Sequence, residues 1–399
     1  MAIGRRCTIR ILWVGVGVNA KSGYGVASKN IISRLKAHGH EVTLFTMWGL
    51  IGQRAVFDGV LHVPLKKAAY GIDVIADYVH EFQPDIVLQL YDEWPSPDYQ
   101  RLLGDLYCPW VVLHYSPVEL PIYNAISETW RQFAFCEWAA DELKTKGLSP
   151  RVVYLGVDTH AYRPLIGEMD SQGNIIEKGR LKQAVGADPD DFLIGMVAAN
   201  IDHRKALEPQ IRVYADFAKK YKDVHLYIKT NPLPDHGGWD VRMMCQKLFG
   251  LSADDPVAPL TFPEDDDASA STEQMALWYN AFDVFLNCAM AEGIGLPALE
   301  ANSCGIPALG TDFSAMREYS YGWHLPYTKV LLQFFYAYGA RVDEQALWDA
   351  LEQAYNMRGS EEFDVMKVEA REHACMFNWD TVVAGLEKEL EAWMLEKRL

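Results

Sequence analysis

Two carboxylates eight residues apart bracket the stretch of this sequence with the clearest chemistry. Glu292 and Glu300 lie in AEGIGLPALEANSCGIPALGTD, residues 291–312. Gly293 and Gly295 allow a ligand to approach the backbone, and the proline that follows is placed where a helix begins. Such a helix end presents unpaired N–H groups and a positive dipole to an anion. We therefore predict a phosphate site, whose two carboxylates accept hydrogen bonds from sugar hydroxyls on either side.

A basic pair supplies a second group for the same anion. Arg204 and Lys205 follow a predicted strand at Phe192–Ala198, and we expect them to open a helix over Leu207–Tyr221. Two positive charges at a helix N-terminus oppose the helix dipole unless an anion is bound there. The pair is therefore interpreted as part of the anion site.

The spacing E-x7-E inside EG-x-GLP-x-LEA-x-x-CG-x-P resembles the donor-site motif of the retaining family 4 glycosyltransferases. The GVD segment at Gly156–Asp158, followed by Tyr162-Arg-Pro164, resembles the segment that joins the two domains in that family. The resemblance implies the α/β GT-B fold, in which two Rossmann-like, doubly wound parallel-sheet domains face each other across a cleft. It covers nearly the whole chain and is weakest over roughly residues 47–70 and 320–342.

The resemblance implies a role for each matching residue. Glu292 would face the transferred sugar and Glu300 would hold the ribose of the nucleotide. Arg204 and Lys205 would bind the departing diphosphate, and His114 would correspond to the cleft histidine of the family. The remaining donor-binding candidates lie in loops near the diphosphate, and they are Gly23, Gly25, Asn200, Gly293, Ile294, Gly295 and Leu296. Ile294 stands where the family usually has an aromatic residue, which affects the shape of the sugar pocket.

The acceptor is expected at the carboxyl ends of strands in the first domain. Strand and helix alternate along residues 7–155, which predicts a parallel sheet covered on both faces. Ligands of such sheets bind outside the carboxyl ends of the strands. The polar and aromatic residues predicted there are Asp92, Trp94 and Glu119, with Glu93 beside them and His114 at the end of a strand over Trp110–His114.

The predicted domain boundaries follow the joining segment. Residues 1–160 form the N-terminal acceptor domain, 161–190 a linker, and 191–376 the C-terminal donor domain. Residues 377–399 are predicted to form a last helix that returns to the first domain, as the resemblance implies.

Composition indicates a cytoplasmic protein with two ordinary cores. The chain has 399 residues, of which 50% are hydrophobic, and its seven cysteines include no C-x-x-C pair. The pattern argues against a disulfide framework or a zinc site. No apolar run reaches the ~18 residues of a membrane span. We expect no metal and no cofactor besides the nucleotide-sugar donor, and the acidic run Glu264–Asp267 is not interpreted as a metal site.

The first predicted strand contains a partial match to a dinucleotide-binding fingerprint, but its context does not fit. Gly15, Gly17 and Ala20 match G-x-G-x-x-A, but the glycines fall inside a predicted strand and the next strand ends without a ribose-binding acid. NAD binding is therefore not predicted.

Uneven charge leaves two other functions open. The net charge is −17, whereas the first 67 residues carry 10 basic and 2 acidic side chains. This basic segment suggests an anionic acceptor such as a lipid head group, or the same chemistry on a hydroxymethylated base of viral DNA. The third reading is a regulatory protein that binds a nucleotide and transfers no sugar. The acceptor could equally be a saccharide.

Overall fold

The structure is a computed structural model that describes residues 8–20, 22–48, 50, 52–200, 203–233, 238–250, 260–262, 270–332 and 336–397. Two compact units are distinguished within it. The first extends as far as Gly156 and resumes at Trp379, and the second comprises Val157–Leu332 and Tyr338–Asn378. Residues 161–190, predicted as a linker, are therefore grouped with the second unit.

The first unit is built on a sheet whose strands, over the described residues, follow the order β3-β4-β2-β1-β5-β6-β7-β8. Among the described strands of this sheet, β3 and β4 pair antiparallel and the other neighbours pair in parallel. The central strands are apolar and buried, as expected for a sheet covered by helices. The strands are β1 (Arg10–Val16), β2 (Glu41–Trp48), β3 (Ala55–Phe57), β4 (Val60–Val63), β5 (Ile86–Leu90), β6 (Tyr107–Val111), β7 (Phe133–Ala134) and β8 (Arg151–Val152).

The helices of the first unit include the last helix of the chain. They are α1 (Gly23–Ala37), α2 (Ile75–Phe82), α3 (Tyr99–Leu103), α4 (Leu120–Ile126), α5 (Glu137–Lys144) and α14 (Trp379–Glu396). Helix α14 packs on α1 and buries Trp393. Nε of Arg34 donates a 2.6 Å hydrogen bond to Asp380. One carboxylate oxygen of Glu387 lies 2.7 Å from Nδ1 of His38 and 3.2 Å from Nε2 of His40. These contacts fix the C-terminal helix to the first unit.

The second unit contains a parallel sheet with the order β11-β10-β9-β12-β13-β14 over the described residues. Two further strands, β15 and β16, form a separate small sheet. The strands are β9 (Phe192–Val197), β10 (Val224–Lys229), β11 (Leu260–Thr261), β12 (Val284–Asn287), β13 (Ala308–Thr311), β14 (Gly322–Leu325), β15 (Tyr327–Leu332) and β16 (Ala337–Val342).

The helices of the second unit bury its sheet. They are α6 (Lys178–Ala184), α7 (Leu207–Lys220), α8 (Val241–Phe249), α9 (Thr272–Ala281), α10 (Leu296–Ser303), α11 (Met316–Tyr319), α12 (Glu344–Asn356) and α13 (Glu361–Cys375). Apolar positions of α7, α8 and α12 form one core with β9, β10 and β12. Lys178 and Lys182 of α6 both lie 2.8 Å from the carboxylate of Asp283, which ties α6 to the start of β12.

The predicted α/β class with parallel sheets is confirmed, and the differences are local. Strand β6 ends at Val111, so His114 lies in the following loop and not at the end of a strand. Helix α4 begins at Leu120, and Glu119 immediately precedes it. Strands β3, β4, β15 and β16 were not predicted, because they are short or exposed and lack the long apolar runs of the central strands.

Candidate active site

The carboxylate of Glu292 forms ion pairs with both members of the basic pair. Nη1 of Arg204 lies 2.8 Å from Oε2 of Glu292, and Nζ of Lys205 donates to Oε1. Glu292 is only 5% exposed. A buried carboxylate needs such partners, since an unpaired charge loses its hydration without compensation. The carboxylate and the basic pair therefore form one electrostatic unit.

The basic pair lies in a turn before α7 and not within it. Ala206 adopts a left-handed conformation with φ 48°, and the helix begins at Leu207. The prediction that the pair opens the helix is therefore wrong, because this backbone conformation interrupts helical geometry one residue earlier. Backbone contacts hold the turn against the Glu292 loop: the N–H of Met290 donates to the carbonyl of Arg204 at 2.7 Å, and Nη1 of Arg204 donates to the carbonyl of Ala291 at 3.0 Å.

The side chain of Gln210 holds this turn by hydrogen bonds, and this role was not predicted from the sequence. Its Nε2 donates to the carbonyls of Lys205 at 2.8 Å and Ala206 at 3.0 Å, while its Oε1 accepts from the N–H of Cys288 at 2.7 Å. The side chain is buried. One sequence feature could have identified Gln210: it is a polar residue on the apolar stripe of α7, which is the buried face of that helix.

Ser314 fixes the loop from the other side, and it was also missed. Its Oγ accepts a 2.9 Å hydrogen bond from the N–H of Glu292. Ser314 is buried and has φ 54°, a conformation that few residues other than glycine adopt. The packing of β13 against β12 places Ser314 beside Glu292, and such a tertiary contact has no local sequence pattern.

A helix N-terminus lies directly beside Glu292, as the motif predicted. Gly295 has φ 82° and ψ 43° and precedes α10, and no side chain caps this helix end. A Cβ on Gly295 would lie 3.7 Å from Cγ of Glu292. Pro297 occupies the second helical position and not the first, because the helix begins at Leu296. Gly293 and Gly295 are buried, whereas Ile294 and Leu296 are partly exposed.

Glu300 is held by tyrosine hydroxyls. The hydroxyl of Tyr279 donates to Oε2 of Glu300 at 2.7 Å, and the hydroxyl of Tyr162 also hydrogen-bonds to this carboxyl. Burial raises the pKa of Glu300 to about 7, although the tyrosine hydrogen bonds and the charge of Lys229 oppose the rise. Glu300 is therefore poised between its neutral and ionised forms near neutral pH.

Asn200 is committed to the loop that follows β10. Its Nδ2 lies within hydrogen-bonding distance of the carbonyls of Asn231, Leu233 and Trp239, at 2.9, 3.1 and 2.6 Å. Its Oδ1 accepts from the N–H of Trp239 at 2.8 Å. In this conformation Asn200 shapes the loop and its amide N–H groups point to protein carbonyls, which differs from the predicted contact with the donor.

Gly23 and Gly25 lie in the first turn of α1, whereas a flexible loop was predicted there. Oγ of Ser22 accepts from the N–H of Gly25 at 3.1 Å, which caps the helix. A Cβ on Gly25 would lie 2.2 Å from the carbonyl oxygen of Ala20, so only glycine fits. The glycine at position 25 is thus explained by a close backbone approach.

The candidates of the first unit gather around two neighbouring strands. Asp92 and Trp94 follow β5, and His114 and Glu119 follow β6, which pairs with β5 in parallel. The hydroxyl of Tyr24 donates to Asp92 at 2.8 Å. Burial and the negative charge of Asp92 raise the pKa of Glu119 to about 7. Trp94 is exposed and His114 partly so.

The basic charges of the first 67 residues are largely compensated where they are described. Arg10, Lys29, Arg34, Arg54 and Lys66 each form an ion pair with an aspartate or glutamate. Four of these five carboxylates lie outside the basic segment, and they are Asp77, Glu81, Asp85 and Asp380. The segment is therefore less positive in the folded chain than its sequence suggests.

The described residues present neither a metal-binding cluster nor a membrane-spanning helix. They include no group of three His, Cys, Asp or Glu side chains arranged to hold a metal ion. No helix in the described ranges combines the length and apolarity needed to cross a membrane. The acidic run Glu264–Asp267 lies outside the described residues.

Comparison with solved structures covers almost the entire chain. Sucrose-phosphate synthase from Thermosynechococcus elongatus superposes with a TM-score of 0.73 at 14% identity, over 97% of this chain and 100% of that one. WaaG, a glycosyltransferase involved in lipopolysaccharide biosynthesis, superposes with a TM-score of 0.65 at 14% identity, over 94% of this chain and 98% of that one. The fold is GT-B. At these identities the likeness establishes the GT-B fold and leaves the reaction open.

One curated relative shares a shorter stretch with this GT-B chain. The serotype-specific mannosyltransferase WbdA of Escherichia coli is 31% identical over 139 residues, which are 34% of this chain and 15% of that protein. No protein-family model matches the chain.

Proposed function

We propose that this chain is a retaining glycosyltransferase of the family 4 type, which transfers a sugar from a nucleoside-diphosphate sugar to an acceptor hydroxyl. The GT-B fold and the relative named as a mannosyltransferase support the class of reaction. The observation that carries the proposal is the ion-paired group of Glu292, Arg204 and Lys205 beside the uncapped N-terminus of α10.

The basic pair and the helix end address the hardest part of the reaction. A nucleoside diphosphate leaves with growing negative charge on its β-phosphate. Arg204, Lys205 and the first N–H groups of α10 would stabilise that charge as it develops, which is commonly the largest contribution to catalysis. Glu292 balances part of the two positive charges, and a bound diphosphate would share the cations with it.

The same contacts favour a mechanism without a covalent sugar on Glu292. Its carboxylate is shared between two cations, which lowers its reactivity as a nucleophile. Retention would then come from attack of the acceptor on the face from which the diphosphate departs. The product of slow donor hydrolysis, analysed by NMR before its anomers interconvert, should have the anomeric configuration of the donor.

We also propose that the reaction needs no divalent metal. Arg204 and Lys205 provide two positive charges that can compensate the leaving diphosphate. Turnover should therefore continue after dialysis against EDTA, with no gain from added Mg²⁺ or Mn²⁺. Loss of activity in EDTA and its recovery with Mg²⁺ would contradict this part of the proposal.

The donor class can be established by thermal shift. The purified chain would be melted with UDP, GDP, ADP, CDP and NAD, each at saturating concentration. A ligand at 100 times its dissociation constant stabilises the folded state by about 2.7 kcal/mol, which raises the melting temperature by several degrees. We expect one nucleoside diphosphate to produce the shift and NAD to produce none.

A matched pair of variants tests where this ligand binds. Glu369 accepts a hydrogen bond from the hydroxyl of Tyr321 at 2.5 Å, so it reproduces the carboxylate–tyrosine contact of Glu300 on the surface of the same unit. Glu300→Ala should abolish the nucleotide-dependent shift, and Glu369→Ala should leave it unchanged. Equal shifts in both variants would remove Glu300 from the site.

The two alternative functions, transfer to a modified base of DNA and nucleotide binding without transfer, have less support than transfer of a sugar to an acceptor hydroxyl. Carboxylates already compensate most of the described basic side chains in the N-terminal segment, which leaves little charge for tracking a DNA backbone. A regulatory nucleotide-binding protein would show the thermal shift without turnover of any sugar nucleotide, so a turnover assay separates it from a transferase.

A further inference from the structure

Three loops meet at one edge of the sheet in the first unit. Strands β1, β5 and β6 are neighbours and run parallel, so the segments that follow them leave the same edge. The segment after β5 carries Asp92, Glu93 and Trp94, and the segment after β6 carries Glu119. Tyr24, after β1, donates a hydrogen bond to Asp92. We call Asp92, Glu93 and Glu119 the carboxyl cluster.

Glu93 is buried, and within the described residues no other side chain forms a hydrogen bond or an ion pair with its carboxyl group. It is 0% exposed, and neither of its carboxyl oxygens makes a hydrogen bond of ordinary geometry. Oε2 of Glu119 is also buried and lacks a hydrogen-bond partner. Within the described part of the chain, neither side chain forms an ion pair with a lysine, arginine or histidine. Buried polar groups in folded proteins are nearly always satisfied, so these oxygens require an explanation.

The three carboxyl groups interact electrostatically. Burial raises the pKa of Glu93 well above its usual range, and the negative charges of Asp92 and Glu119 add to the rise. Asp92 likewise raises the pKa of Glu119. Burial and the neighbouring negative charges therefore favour the neutral form of Glu93, which can both donate and accept hydrogen bonds.

The loop that holds Glu93 is organised from the sheet. Gln89, a buried residue of β5, donates from Nε2 to the carbonyl of Asp92 at 2.9 Å. The hydroxyl of Tyr107 donates to Oε1 of Gln89 at 3.0 Å. Two ordered polar contacts thus set the position of the loop, so the unpartnered carboxyl next to it is not the result of a loosely held segment.

We propose that the carboxyl cluster, with Trp94, is an acceptor subsite for a neutral or amino-bearing sugar and excludes phosphorylated sugars. This inference rests on the proposed function, since it assigns the acceptor class of that reaction. Hydroxyl or ammonium groups would supply the missing partners of Glu93 and Glu119. The exposed indole of Trp94 offers a surface for the apolar C–H face of a pyranose ring. A phosphate would meet like charge on Asp92.

The proposal separates this chain from one of its structural neighbours. Sucrose-phosphate synthase is named for a phosphorylated product. A site that handles a sugar phosphate needs cationic groups near the phosphate, and the carboxyl cluster presents the opposite charge. We therefore expect the two proteins to differ in acceptor charge despite their shared fold.

Saccharide binding can be measured without turnover. Saturation-transfer NMR would be recorded on the full chain, with its nucleoside diphosphate present, against glucose, galactose, mannose, N-acetylglucosamine, glucosamine and glucose 6-phosphate. At least one neutral or amino sugar should bind, and glucose 6-phosphate should bind at least tenfold more weakly than glucose. Equal or tighter binding of glucose 6-phosphate, or no signal from the whole panel, would overturn the proposal.

Variants of Glu93 distinguish a ligand group from a structural one. Glu93→Leu should reduce sugar binding at least tenfold, while its melting temperature stays equal to or above that of the unaltered chain, because an unpartnered polar group is removed. Glu93→Gln keeps a donor and an acceptor and should retain binding within about threefold. A lower melting temperature in Glu93→Leu, or unchanged binding, would contradict the assignment.

Two further variants complete the test. Glu142 accepts from Oγ of Ser116 at 2.7 Å in the same unit and lies outside the cluster, so Glu142→Gln should leave sugar binding unchanged. Asp92→Asn with Glu119→Gln should reduce the discrimination between glucose and glucose 6-phosphate to within about threefold, and an unchanged ratio would contradict the role of charge. If the nucleoside diphosphate still binds while the sugar results fail, only this inference falls. If the nucleotide does not bind, the proposed function fails.

Discussion

The hydroxyl of Tyr279 donates a 2.7 Å hydrogen bond to Oε2 of Glu300, inside the stretch that the sequence marks as a nucleotide site. A carboxylate has four lone-pair positions, so this bond leaves acceptor capacity for a ribose hydroxyl. The tyrosine fixes the orientation of the carboxyl before any ligand arrives. Preorganisation of this kind lowers the entropy lost when a ligand binds.

We expect Tyr279→Phe to weaken nucleotide binding about tenfold without preventing folding. The ring stays in its aromatic surroundings beside Tyr162 and Phe285, and only the hydroxyl is lost. The net contribution of one hydrogen bond to a charged group is about 1.5–3 kcal/mol, which is consistent with this loss. Isothermal titration with the nucleotide identified by thermal shift measures the change. Tyr321→Phe removes the equivalent hydroxyl at Glu369 and should have no effect.

Stability should fall as the pH rises through the range in which Glu300 and Glu119 ionise. Burial raises the pKa of each to about 7 from 4.5. Between these values the folded chain holds protons that the unfolded chain has released, so stability decreases as the pH increases. The ionisation of each group lowers the free energy of unfolding by roughly 3 kcal/mol at most. The melting temperature of the unaltered chain should decrease from pH 5 to pH 8, and that of Glu300→Gln should decrease less. An identical slope in that variant would contradict the assignment.

Lys205→Met should slow transfer about 10²–10³-fold, since it removes a positive charge aimed at the leaving group. It should also destabilise the second unit, because the buried carboxylate of Glu292 loses its ion pair with Lys205. Adding Glu292→Gln should restore the melting temperature and not the rate. Lys219 pairs with the exposed Asp216, and Lys219→Met is the matched control. Recovery of the rate in the double variant would show that Lys205 acts only through Glu292.

Gln210 should act as a positioning residue for the basic pair. Gln210→Leu leaves two carbonyl groups and the N–H of Cys288 without their partner, at about 2–4 kcal/mol of stability. Because Gln210 holds the backbone of Lys205, we expect kcat to fall more than the affinity for the nucleotide. Gln210→Glu, which keeps the acceptor for Cys288, should recover part of kcat. Gln345→Leu removes an exposed side-chain hydrogen bond and serves as control.

A left-handed glycine is required before α10. Gly295→Ala places a Cβ at φ 82°, which costs roughly 1–2 kcal/mol and displaces the helix N-terminus. Gly250→Ala introduces comparable strain after α8, where the added Cβ meets no neighbour. Both variants should melt at lower temperatures, and only Gly295→Ala should weaken nucleotide binding. Equal affinities in the two variants would separate this helix end from the nucleotide site.

The sequence was most informative where local pattern and tertiary packing agree. Strand β9 and helix α7 begin at the predicted residues, Phe192 and Leu207, and each ends one residue before its predicted end, because their apolar positions follow the period of a buried strand and of an amphipathic helix. The expectation that Arg204 and Lys205 open α7 was wrong, because the left-handed conformation of Ala206 has no sequence signature. Periodicity alone could not reveal β3, β4, β15 and β16, which lack the long apolar runs of the central strands.

The residues of the candidate site also divide into those that a sequence motif predicts and those that only tertiary packing brings together. The motif placed Glu292 near Arg204 and Lys205, and the structure joins these residues by ion pairs. It did not reveal Ser314 or Gln210, since the bond of Ser314 to Glu292 crosses 22 residues of sequence and that of Gln210 to Cys288 crosses 78. Nor could it predict that Glu93 would be buried without a side-chain partner among the described residues, because burial at a loop depends on the packing of neighbouring strands.

The most direct test of the proposed function is release of nucleoside diphosphate from its sugar donor. The purified chain would be incubated with the sugar nucleotides of the base chosen by thermal shift and with the sugar panel, and diphosphate release would be followed by a coupled assay. We predict acceptor-stimulated release that falls about 10²–10³-fold in Lys205→Met and is unchanged in Lys219→Met. Binding of the nucleotide without release from any donor would contradict the assignment as a glycosyltransferase, and equal rates in the two variants would contradict the role of Lys205.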